Sequence, residues 1–124
     1  MRPVSKDRLV LDEVERMLAM RIDSVIKVEL LCLFFRNPST VDTGHGLALR
    51  LGRDPGVVSA ECEELVAAQY LRASGVGAAR AFALRGDRSK LAVCERLVSL
   101  LRDRNLRLAL MARLTKPPQP EEGR

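Results

Sequence analysis

The chain has a single histidine, in Thr43-Gly44-His45-Gly46, directly after Asp42. A histidine beside a carboxylate can move protons in acid–base catalysis. Here the pair falls at a helix start, where Asp and Thr cap backbone N–H groups and the imidazole faces water. Gly75-Val76-Gly77 lacks both a third glycine and a following Gly-Lys-Ser/Thr, so it reads as a hairpin turn and not as a phosphate loop. Glu61, Glu63 and Glu64 lie close in sequence, and local spacing alone makes a solvated helix face of them. Cys32, Cys62 and Cys94 each fall within an apolar helical pattern and read as small buried hydrophobes. No CxxC or HxxxH spacing joins them to a metal site. No enzyme activity, no cofactor and no metal is expected.

Arginine is the remaining chemistry. The chain carries 21 Lys and Arg against 16 Asp and Glu, a net +5. Residues 1–53 hold +2, residues 54–84 hold −2, and residues 85–124 hold +5. The excess at the C-terminal end permits contact with nucleic acid or an anionic surface. No apolar run reaches the ~18 residues of a membrane span. The opening Met1-Arg2-Pro3-Val4-Ser5-Lys6-Asp7 lacks the apolar core of a signal peptide. With three unpaired cysteines, these features suggest a cytoplasmic protein without a membrane partner.

The elements that position these residues are mostly helices, because Leu, Val and Ala supply the apolar mass and aromatics are only 3%. A single domain over residues 1–124 is expected. Leu11, Val14, Met17 and Leu18 mark an amphipathic first helix within 6–22. Asp23 or Ser24 caps a second helix, Val25 to Arg36, apolar almost all round and therefore central. Asn37-Pro38 ends it. An extended piece at Ser39-Thr40-Val41 leads to a third helix, Gly44 to Leu51, with Gly52 at its C-terminal end. Asp54-Pro55 restarts a fourth helix, expected to reach about Gln69. Tyr70–Ala73 and Arg80–Leu84 form a hairpin. Asp87 or Ser89 starts one long last helix within 87–115, and the Pro-rich tail 116–124 reads as disordered.

The segment Gly46-Leu47-Ala48-Leu49-Arg50-Leu51-Gly52-Arg53-Asp54-Pro55-Gly56-Val57-Val58-Ser59 resembles a helix-turn-helix. Leu65-Val66-Ala67-Ala68-Gln69-Tyr70-Leu71 resembles a recognition helix running into a wing. Residues 24–85 as a whole resemble the winged helix-turn-helix of MarR, PadR and ArsR-type bacterial transcription regulators. The resemblance implies a mainly α fold with a small β-hairpin, flanked by N- and C-terminal helices. It also implies binding of double-stranded DNA, with flanking helices that commonly make a homodimer.

A recognition helix offers its outer face to the major groove. By 3.6-residue spacing that face is Gly56, Val57, Ala60, Glu63, Glu64 and Ala67, without a Lys or Arg. Similar regulators commonly have basic residues where Ala60 and Glu64 stand. The candidate DNA contacts are therefore Arg50, Arg53, Ser59, Arg72 and Arg80. Two acids facing a polyanion also support a rival reading, a protein-interaction module with its partner at this acidic face. In the last helix, Leu91, Cys94, Val98, Leu101, Asn105 and Leu108 read as one heptad seam for the dimer, with polar Asn105 able to fix register.

Overall fold

The computed structural model describes residues 6–115. Helix α1 spans Lys6–Ala19 and buries Val14 and Met17. Leu11, expected on the same face, is exposed. Helix α2, Val25–Arg36, starts at Ser24, whose hydroxyl accepts the Lys27 N–H at 3.0 Å. Burial of Val28, Leu30, Leu31, Cys32 and Phe34 makes α2 the central helix, as its missing polar face required.

A short strand β1, Val41–Thr43, leads into α3, Gly44–Leu51. Thr43 caps α3 by accepting the Gly46 N–H at 3.1 Å. Gly52 closes it at φ +67°. Asp54 caps α4, Pro55–Ala67, accepting the Val57 N–H at 3.0 Å. Val58, Cys62 and Leu65 point into the core from α4. Strands β2, Leu71–Ser74, and β3, Ala81–Leu84, follow, with a single 3-10 turn at Gly77–Ala79 between them.

The sheet is antiparallel with order β1-β3-β2, so β3 is central. Its register places Val41 and Arg72 on either side of Ala83, and Asp42 and Ala73 on either side of Phe82. The fold is thus mainly α with a small β-hairpin, to which β1 adds a third strand.

The chain ends in two helices, α5, Arg88–Arg102, and α6, Arg104–Thr115, where one long helix was expected. The break lies at Asp103, whose backbone is extended. Its carboxylate accepts the Leu106 N–H at 3.1 Å and its carbonyl accepts the Arg107 N–H at 2.8 Å, so it caps α6. Arg107 donates to the Leu101 carbonyl at 3.0 Å, which satisfies one acceptor at the end of α5. The heptad seam is therefore not continuous. Cys94 and Val98 are buried in the protomer's own core, Leu91 and Leu101 are half-buried, and Asn105 and Leu108 are exposed on α6. The tail 116–124, expected to be disordered, lies outside the described residues.

Candidate nucleic-acid interface

Helix α4 sits on α2 through a buried charge. Lys27 is only 3% exposed, and its ammonium faces three carboxylates. Asp23 Oδ1 is 2.7 Å away, Glu61 Oε1 is 3.0 Å away, and Glu64 accepts a short hydrogen bond. Glu61 also accepts from the Ser24 hydroxyl at 3.0 Å. Burial works against the charged ammonium, but the hydrogen bonds to Asp23, Glu64 and Glu61 outweigh it and raise the Lys27 pKa. One turn away, Glu63 grips Arg80 with both oxygens, one of them 2.9 Å from Nη2. The Arg80 guanidinium holds the Glu63 carboxyl below its ordinary range. Arg80 also donates to the Gly75 carbonyl at 3.2 Å and lies 5.9 Å from the Phe82 ring centroid. It thereby ties the tip and centre of the hairpin to α4.

The acids of α4 are partly solvated, as expected, and also paired: Glu63 binds Arg80, while Glu61 and the largely exposed Glu64 share the single ammonium of Lys27 with Asp23. What α4 presents outward without a partner charge is Gly56, Val57, Ala60 and Ala67, all exposed.

The candidate contacts divide in the same way. Arg53 forks onto Glu29 at 3.0 and 2.7 Å, clamping the α3–α4 turn to α2. Arg50 is 3.3 Å from Asp42 and half exposed. Ser59 is half-buried against the first residue of α3: a Cβ on Gly44 would lie 2.0 Å from its Oγ. Arg72 is exposed on β2, with no partner among the described residues. A cleft between the start of α3, the start of α4 and the hairpin brings together His45, Ser59, Glu63, Arg80 and Phe82. Arg53 and Arg72 do not line it.

Residue spacing gives no sign of the role of Lys27. A lone lysine in an otherwise apolar helix was the available signal, because such a charge needs carboxylates when the helix is central. The thiols are as expected. All three cysteines are free and buried, and burial raises their pKa values, to about 12 at Cys62 and about 11 at Cys94. No group of side chains suited to a metal ion occurs among the described residues, and no helix is long and apolar enough to cross a membrane. No protein-family model, curated protein or solved structure matches this chain.

Proposed function

We propose that this chain is a cytoplasmic winged-helix regulator that binds double-stranded DNA, with α4 as the recognition helix and the β2–β3 hairpin as the wing. The element order from α2 to β3 and the β1-β3-β2 sheet support the winged-helix assignment. The observation that carries DNA binding is the internal pairing of the α4 acids. Glu63 is matched by Arg80 and Glu64 is drawn back onto Lys27, which lessens their repulsion of a phosphate backbone, and Gly56 and Ala60 are small enough to let α4 approach a groove closely. Val57 and Ala60 suit apolar contact with thymine methyl groups. Arg72 is free, and Arg50 has only an exposed ion pair of small worth, which a phosphate can replace. Arg53 and Arg80 mainly position the helix and the wing.

The regulator acts as a dimer in this reading. The core leaves Leu9 and Leu11 of α1 and Leu108 of α6 exposed, on two helices that pack together, and a two-fold contact covers them.

The test is binding of a random-sequence duplex at about 50 and 200 mM salt, a range over which phosphate contacts lose affinity steeply. Wild type is expected to bind in a salt-steep manner. Glu63→Gln releases Arg80 and is expected to tighten binding several-fold. No binding even at the lower salt overturns the regulator reading. A second reading, a protein-interaction module, is favoured by two exposed valines on this face, Val57 at 45% and Val76 at 83%. That reading requires the same null result with DNA.

A further inference from the structure

The fold sorts its arginines into two groups. Arg50, Arg53, Arg80, Arg96 and Arg113 each face a carboxylate. Arg72, Arg85 and Arg88 are among the exposed arginines that have no ion-pair partner among the described residues. The strand register brings Arg72 and Arg85 together, and Arg88 follows close in sequence. Arg72 lies opposite Ala83. The Arg85 N–H donates to the Tyr70 carbonyl at 3.0 Å, so the β2–β3 ladder continues one pair beyond the strands. Side chains alternate along a strand, and Arg85, two residues after Ala83, returns to the face that holds Arg72. The two are diagonal cross-strand neighbours, with Cα atoms roughly 7–8 Å apart. Arg88 follows three residues later as the first residue of α5.

No acid of the sheet shares this face. Asp42 stands opposite Phe82 and so points to the other side. From Leu71 to Lys90 the sequence holds five bases and one acid, Asp87. The strip lies at the base of the hairpin, at the opposite end from the Gly75–Ala79 tip that Arg80 holds against α4.

We infer that Arg85 and Arg88 extend Arg72, at the base of the wing, into a phosphate-binding strip for duplex DNA away from the α4 face. This inference rests on the DNA-binding reading and extends it from Arg72 to Arg85 and Arg88, which the helix-turn-helix pattern does not mark. Guanidinium forks match phosphate oxygens in pairs. Because no carboxylate competes for these three, a phosphate meets them without first breaking an ion pair. The strip carries Val41 and Ala83 beside the arginines, and Tyr70, opposite Arg85, is buried and offers no ring for stacking on bases. Its contacts fix position on the duplex and carry no base code.

The experiment measures binding of full-length protein to a random-sequence duplex across a salt series, by fluorescence anisotropy. The triple variant Arg72→Gln, Arg85→Gln, Arg88→Gln is compared with wild type. Each lost phosphate contact removes about 0.9 from the slope of log K against log salt, so the triple variant should be shallower by roughly 2–3. Its affinity at the lowest salt should fall at least tenfold. Its thermal midpoint should be unchanged, because these side chains have no ion pair to lose. Arg85→Gln alone should lower the slope by about 1, which keeps the test independent of the triple variant's folding. If wild type binds and the variants keep its slope and affinity, the strip is overturned and the DNA-binding reading stands. If wild type does not bind, both fail.

Discussion

Lys27 is the residue on which the placement of α4 turns. Removing one partner of a buried ion pair costs about 3–5 kcal/mol, because the other charge is stranded. Asp23 and Glu64 are more than half exposed and can rehydrate, whereas Glu61 cannot do so fully. Lys27→Met should therefore destabilise by about 3 kcal/mol, at the low end of that range, in urea unfolding. Adding Glu61→Gln should recover part of the loss; a double variant no better than the single one would show that Glu61 is not stranded. The same charges set a pH profile. Glu63 and Glu13 have folded-state pKa values lowered by Arg80 and Arg96. Their contribution is present above the ordinary value of 4.5 and is lost as pH falls through the lower folded value. Lys27 has a raised pKa, so its contribution is complete below 10.5 and is lost only as pH rises through the folded value. Stability should thus fall on acidification below about pH 4.5, less steeply in Glu63→Gln than in wild type. Parallel curves for the two proteins would show that the Glu63–Arg80 pair contributes nothing.

At the scale of elements, legibility followed from whether a helix end carries its own chemical mark. Ser24, Thr43 and Asp54 cap the helices the sequence assigned to them, and Gly52 closes α3. Two other ends lack such a mark. Helix α4 stops at Ala67, short of the expected Gln69, because Gln69 itself takes the left-handed conformation at φ +75° and the Tyr70 N–H returns to the Leu65 carbonyl. Arg21, at φ +68°, does the same after α1, where the Ile22 N–H returns to the Met17 carbonyl. Glycine usually holds such positions, and Gln and Arg give no warning of them. Asp103 caps α6, but the heptad pattern runs straight through it and reads as one helix. The pattern was equally consistent with two short helices packed on their own protomer. The ion pairs of α4 were illegible for a different reason: Lys27 and Glu64 are far apart in sequence, and only the packing of α2 against α4 joins them. Helix α4 also meets α3 at a close approach. A Cβ on Gly44 would lie 2.0 Å from Ser59 Oγ and 3.2 Å from Ser59 Cα. Gly44→Ala should force the two helices apart and cost about 1–3 kcal/mol, as overpacking does. Ser59→Ala should rescue it only in part, since the backbone and Cβ contacts remain. Full rescue would place the strain in the hydroxyl alone.

At the scale of the whole molecule, the terminal helices serve the protomer before they can serve a partner. Cys94, Leu97, Val98 and Leu100 of α5 and Leu110 of α6 belong to the same core as α2. Glu13 of α1 binds Arg96 of α5 at 3.2 and 3.1 Å, which holds the N- and C-terminal helices together. A dimer cannot use Cys94 and Val98 as a seam without opening that core. The proposed dimer uses the exposed set on α1 and α6, where Leu108, at 52% exposure, lies beyond the α5–α6 break. This separates two substitutions that a continuous seam would treat alike. Val98→Asp should unfold the chain, because it places an unpaired charge in the core. Leu108→Asp should leave the protomer's thermal midpoint nearly unchanged and dissociate the dimer, because it charges only the outer surface of α6. Sedimentation equilibrium from about 1 to 100 µM resolves the two outcomes, since a Kd in that range corresponds to about 8 kcal/mol or less of association energy. A wild type that stays monomeric at the upper concentration would overturn the dimer. A Leu108→Asp variant that remains dimeric would move the interface away from α6.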